Sequence, residues 1–131
     1  YAISLYPFLT TYSASDLSPN VLSEIFALSS KPTVIAETGM LAEDMLAFSI
    51  PFDGSPGKQD DYMQSLLAAA DDNDLLFVNW FVLQDYDLLC DFFGGCSDED
   101  GLWRDTGVYD GSGNPRPSYA SWKFYLDRPL R

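Results

Sequence analysis

No histidine occurs anywhere in the 131 residues. That excludes Ser-His and Cys-His catalytic pairs within the chain and disfavours a catalytic zinc centre, which draws heavily on imidazole ligands. Positive charge is scarce too: 7 Lys and Arg stand against 20 Asp and Glu, for a formal net charge of −13. A phosphate backbone or an anionic membrane surface would be repelled, so neither nucleic acid nor membrane is expected as a partner. A neutral ligand fits this balance better, although an acidic surface also serves solubility. No apolar run approaches the ~20 residues of a membrane span. The two cysteines, Cys90 and Cys96, flank a loop with Gly94 and Gly95. A local disulfide, which would suit an exported, extracellular protein, and two free thiols are both open. There is no internal repeat and no low-complexity tract. The initiator methionine is missing as well: the sequence starts at Tyr1 inside a strand-like run, so processing or a cut is expected to have removed what precedes it.

What is present is a hydrophobic fraction of 47% and an aromatic fraction of 15%. That is enough for one ordinary domain with a sizeable core. Aromatic rings more often fill cores than clefts, but they are also what a sugar-binding cleft needs. Three strand-like runs alternate with three helix-like ones. The strands are Ala2–Tyr6, Thr33–Ala36 ending at Glu37, and Leu75–Phe81. The helices are expected from about Pro19 to Ser29 with Ser18 as N-cap, from Lys58 to Ala70, and from Pro117 to Asp127. The last carries aromatics on more than one face and is expected to pack tightly. Two long loops, 40–58 and 82–114, follow the second and third strands, the first with a short helical turn near Glu43–Phe48. Buried strands joined by helices imply parallel pairing and right-handed crossovers. Long loops after strands put function at the strands' C-terminal ends.

The run Thr33-Val-Ile-Ala36 is apolar, bounded by Pro32 and Gly39, and suits a strand covered on both faces. Glu37 stands at its C-terminal end. A carboxylate there needs a partner or a purpose. It is either a structural group, paired with Arg104 or Lys58, or a catalytic one. Each expected strand ends in a residue able to handle a sugar: Tyr6, Glu37, and Asn79 with Trp80. Glycoside cleavage passes through an oxocarbenium-like state that a carboxylate can stabilise or trap. A tyrosine hydroxyl can hold that carboxylate oriented, and an indole face can stack on a pyranose ring. Asp85, Tyr86 and Asp87 follow in the next loop as further sugar contacts, although loop aspartates more often form turns. Asp98, Glu99 and Asp100 read as a solvated run rather than a calcium site. No cofactor is called for.

Five runs then occur in order: Ser4-Leu-Tyr-Pro-Phe8, Lys31-Pro-Thr-Val-Ile-Ala-Glu-Thr-Gly39, Gln59-Asp-Asp-Tyr62 with Leu66-Leu67, Phe77-Val-Asn-Trp-Phe81, and Gly113-Asn-Pro-Arg-Pro-Ser-Tyr-Ala-Ser-Trp122. Together they resemble the sixth, seventh and eighth βα units of a retaining glycoside hydrolase barrel, of the clan with catalytic glutamates on strands four and seven. The endo-β-1,4-galactanases (arabinogalactan endohydrolases) look nearest. The resemblance implies an α/β fold of three parallel βα units, the C-terminal part of a TIM (β/α)8 barrel, incomplete as it stands. It implies Glu37 as nucleophile, Tyr6 beside it, Trp80 as sugar platform, and a carbohydrate substrate. Nothing matches strands one to five, so the acid/base glutamate and the N-terminal barrel portion are expected outside these residues. The competing reading is a non-catalytic carbohydrate-binding fragment that uses Trp80, Trp103 and Tyr86 as its platform.

Overall fold

Three short strands lie side by side in the computed structural model of the chain, which describes residues 1–10 and 19–129. In chain order the elements are β1 (Ala2–Leu5), a 3-10 turn (Pro7–Leu9), α1 (Pro19–Phe26), β2 (Val34–Thr38), β3 (Met45–Ala47), β4 (Ile50–Phe52), α2 (Pro56–Asp72), β5 (Val78–Trp80), α3 (Asp87–Phe92), α4 (Asp98–Arg104) and α5 (Pro117–Leu126). β1, β2 and β5 form a parallel sheet in that order, and β3 pairs with β4 as a separate antiparallel hairpin. The βα alternation expected from the sequence is therefore present. Ser18, the expected cap of α1, lies outside the described residues.

One face of the sheet is covered and the other is open. Ile35 and Trp80, with the partly buried Ile3, Leu5 and Val78, pack into the core with Leu22 and Phe26 of α1 and Tyr62, Met63 and Leu66 of α2. Ala2, Ser4, Ala36 and Asn79 are exposed. The expectation that β2 is buried on both faces therefore fails at Ala36, because no described element covers that side. The reading of α5 as tightly packed is also corrected. It packs on α2, yet Phe124 and Leu126 remain exposed at 66% and 67%.

The loops are more structured than the sequence suggests. The segment after β2 holds the β3–β4 hairpin in place of a helical turn, with Phe48 and Ser49 at φ 53° and 62°. Two positive φ values match a type I′ hairpin turn, which usually carries Asn-Gly, so Phe-Ser gives no turn signal. The segment after β5 holds α3 and α4. Helix α4 is announced by Ser97, whose Oγ accepts from the Asp100 amide at 3.1 Å and donates to the Asp100 carboxylate at 2.7 Å. Ser97 is a side-chain N-cap that places Asp98, Glu99 and Asp100 in the favourable first turn.

Candidate active site

A β-bulge aims Glu37. Ile3 of β1 is opposite Ile35, but the next residue, Ser4, is opposite Glu37, so Ala36 is the extra residue. A strand without this insertion would turn Glu37 toward the helices with Ile35. The bulge instead matches it to Ser4, on the open face, and matches Thr38 to Leu5 on the packed face. Thr38 Oγ1 donates to the Leu5 carbonyl at 2.6 Å, so the Tyr62 hydroxyl, 2.7 Å away, is the donor to Thr38. These bonds tie the C-terminal end of β2 to β1 and α2. Glu37 itself is half-buried.

Tyr6 follows β1 directly, and its phenol lies close enough to the Glu37 carboxylate to be shifted by it. Burial and the neighbouring Glu37 carboxylate push the phenol well above its usual range, so it stays neutral and can donate toward that carboxylate. The basic residues that might have neutralised Glu37 are engaged elsewhere. Lys58 pairs with Asp53, and Arg104 pairs with Asp105 at 2.6 Å. The Tyr6 ring packs on Trp103, centroids 4.6 Å apart, and Trp103 packs edge-to-face on Phe81 at 5.9 Å. Gly39 lets the chain pass through this corner. A Cβ there would sit 2.6 Å from the Phe81 carbonyl and 3.3 Å from the Tyr6 ring.

The other expected site residues divide. Asn79 is exposed on the open sheet face, with its Nδ2 donating to the Ala36 carbonyl at 3.1 Å. Tyr86 is half-buried and packs edge-to-face on Phe81 at 6.0 Å. Trp80 does not present a ring face. It is 8% exposed, packs between Tyr62 and Trp122, and donates Nε1–H to the Thr106 carbonyl at 2.9 Å. The physical reason is period two: Asn79 takes the open face, so its neighbour must take the packed one. The ring packed on Tyr6 is that of Trp103, from the loop region where α4 was not expected, and Phe81, one residue after Trp80, packs on Trp103. From the sequence, Trp103 entered only the competing reading, as part of a sugar platform with Trp80 and Tyr86.

Asp85 is likewise a structural group rather than a sugar contact. Its side chain is 1% exposed and accepts from Arg116 at 2.7 Å and from the Gly107 amide at 2.8 Å. Arg116 also reaches the Gly107 carbonyl at 3.0 Å and Glu43 at 3.3 Å. Glu43, Asp85 and Asp105 bring carboxylate oxygens within 4.8 Å of one another, the one such group among the described residues that could hold a cation. Arg116 and Arg104 already place positive charge on all three. Burial raises the Asp85 carboxyl to about 6, against the pull of Arg116 and Gly107. Its folded pKa thus lies above the usual 3.8, so its stabilising contribution is complete below pH ~4 and lost as pH rises through ~6. Thermal melts between pH 4 and 6 should show this loss, of at most roughly 3 kcal/mol. Asp85→Asn should flatten that stretch of the profile, and an unchanged slope would assign it to other groups.

Gln59 holds the two long loops together, an arrangement the sequence does not signal. Fully buried, it places Nε2 within 3.0–3.2 Å of the carbonyls of Met40, Thr106 and Gly107, while Oε1 accepts from Ser118 at 2.5 Å. Cys90 and Cys96 are disulfide-bonded, with Cα atoms 4.8 Å apart. The bond closes the loop after α3, beside Tyr86 and Trp103.

No protein-family model matches the chain, and a search of curated proteins finds no match. Solved structures do. A β-glucuronidase of Bifidobacterium dentium, complexed with coumarin-3-O-glucuronide, superposes with a TM-score of 0.65 at 13% identity over 98% of this chain and 21% of its own. A GH2 β-galacturonidase of Eisenbergiella tayi gives 0.64 at 18% identity, covering 98% and 23%. A GH5_18 protein of Bifidobacterium longum, in complex with Manb1-4GlcNAc, gives 0.60 at 15% identity, covering 99% and 31%. The chain spans between about a fifth and a third of the length of these proteins. At such identities the likeness is one of fold: the chain is folded like one stretch of several glycoside hydrolases.

Proposed function

We propose that these residues are the C-terminal part of a retaining glycoside hydrolase barrel acting on β-linked oligo- or polysaccharide, with Glu37 as nucleophile. The observation that carries this is the bulge that turns Glu37 to the open sheet face, at the C-terminal end of its strand, beside the Tyr6 phenol. Active sites of barrels lie at that end. The carboxylate attacks the anomeric carbon, and the leaving oxygen takes a proton from an acid roughly 5–5.5 Å from the nucleophile. Water then reverses the exchange. Tyr6 helps aim the carboxylate, and Phe81 and Trp103 supply ring faces toward the same corner.

That acid is assigned to residues outside this chain. Glu43 and Asp85 are held by Arg116, Asp44 accepts from the Gly54 amide, and Asp87 lies 3.6 Å from Arg104. Asp16 is outside the described residues. The uncovered sheet face supports the same view, as do the outer edges of β1 and β5 and the groove of Leu76, Phe77 and Leu126 beside β5. Leu76 and Phe77 are 68% and 56% exposed, an apolar surface that the remaining βα units would bury. The narrower kinship with endo-β-1,4-galactanases rests on the sequence runs alone. The disulfide favours an exported protein.

Residues 1–131 by themselves should show no turnover of aryl β-glycosides. The full-length protein should release its first product with retained anomeric configuration, read by proton NMR in the first minutes. Inverted product, or hydrolysis by the isolated residues that Glu37→Gln abolishes, would contradict this assignment.

A further inference from the structure

A cavity of about 210 Å³ lies past the end of β5, next to the candidate nucleophile but not part of it. Its inner wall is Phe81, Tyr86 and Trp103. The Phe81 and Trp103 ring planes stand 86° apart and those of Phe81 and Tyr86 80° apart, so the rings form a corner rather than a stack. Its outer wall is Leu89 and Phe93, fastened by the Cys90–Cys96 bond. At that size it has room for about one ring, being smaller than the ~300–1,000 Å³ of pockets that hold drug-sized ligands.

The lining selects the chemistry of the occupant. Its one charged member is Asp100, an exposed rim residue whose Oδ2 already accepts from Ser97. No Lys or Arg lines it, so an anionic group would find no partner and would face a chain of net charge −13. Aromatic and aliphatic walls at right angles suit a flat, uncharged ring with C–H edges. The cavity shares a wall with the Glu37 corner. Trp103 lines the cavity and packs on Tyr6 at 4.6 Å, and the Tyr6 phenol neighbours the Glu37 carboxylate. The Trp103 and Tyr6 rings therefore stand between the cavity and the carboxylate.

We propose that this cavity is an aglycone pocket, which takes an uncharged, apolar-faced ring joined to the sugar whose anomeric carbon meets Glu37. The proposal rests on the glycosidase reading above. The disulfide is the fastening of its outer wall, so reduction loosens the pocket without touching the sugar end.

The test uses the full-length protein as its Glu37→Gln variant, so that ligands are not consumed. Calorimetric titrations compare p-nitrophenyl with methyl β-galactosides and β-glucosides, and p-nitrobenzyl alcohol serves as the ring without a sugar. The p-nitrophenyl glycoside should bind at least about tenfold tighter than its methyl counterpart. Leu89→Glu places a charge in the outer wall at a half-exposed position the fold tolerates. It should cut the preference to about twofold or less and leave methyl glycoside affinity and the melting temperature unchanged, and reduction of the disulfide should weaken it in the same direction. Equal affinities for the aryl and methyl glycosides, or a preference that survives Leu89→Glu, would overturn the pocket and leave the glycosidase reading standing. Binding of p-nitrobenzyl alcohol without binding of any glycoside would overturn that reading, and the aglycone role with it.

Discussion

Glu37→Gln in the full-length protein should lower kcat on a β-linked aryl glycoside by about a thousandfold or more, with the melting temperature almost unchanged. A thousandfold corresponds to about 4 kcal/mol of barrier, in the range expected when a group that bonds to the substrate is removed. Glutamine preserves the shape, so the fold has no reason to suffer. Half-burial and the lack of a basic partner among the described residues fit the proposed ligand-facing role better than one in the protein's own cohesion. A loss under tenfold would remove Glu37 as nucleophile. A large loss with a collapsed melt would return it to the structural role that a strand-end carboxylate also fits.

The largest effect on stability is expected at Arg116. Arg116→Met at pH 7 should destabilise the protein by about 3–5 kcal/mol, because it leaves the Asp85 carboxylate buried without its counter-charge. For a domain of this size that lowers the melting temperature by roughly 10–20 °C. One Asp85 oxygen, Oδ2, has no partner even in the native protein, so little slack remains to absorb the loss. The damage should shrink below pH ~5, where the raised Asp85 carboxyl takes up a proton. The double variant Asp85→Asn with Arg116→Met should recover much of the single variant's loss. If Arg116→Met costs under 1 kcal/mol at pH 7, the pair is not what joins the loop after β5 to the start of α5.

Much of this architecture was legible in the chain itself. Pro19 and Pro117 sit in first turns of helices as expected, α2 starts at Pro56, two residues before the expected Lys58, and the apolar runs marked all three sheet strands. Glu37 was singled out because a charged residue ending an apolar run is costly unless it serves something. Other features depend on tertiary partners that local patterns cannot report. The bulge at Ala36 exists only through pairing with β1. A strict reading of period two would have misdirected Glu37, whereas the same period, applied at Asn79, would have assigned Trp80 to the core. The Phe48-Ser49 hairpin turn carries no turn chemistry. Asp85 reads as a loop aspartate until Arg116, 31 residues later, folds back onto it.

The most direct measurement is covalent trapping. The full-length protein is incubated with a 2-deoxy-2-fluoro β-glycoside bearing a good leaving group, digested, and sequenced by mass spectrometry. A retaining enzyme accumulates the glycosyl ester because the fluorine slows both steps and the leaving group spares the first. The account expects one fluorosugar on the peptide that contains Glu37, and none in Glu37→Gln. An active enzyme labelled on a different carboxylate would contradict it.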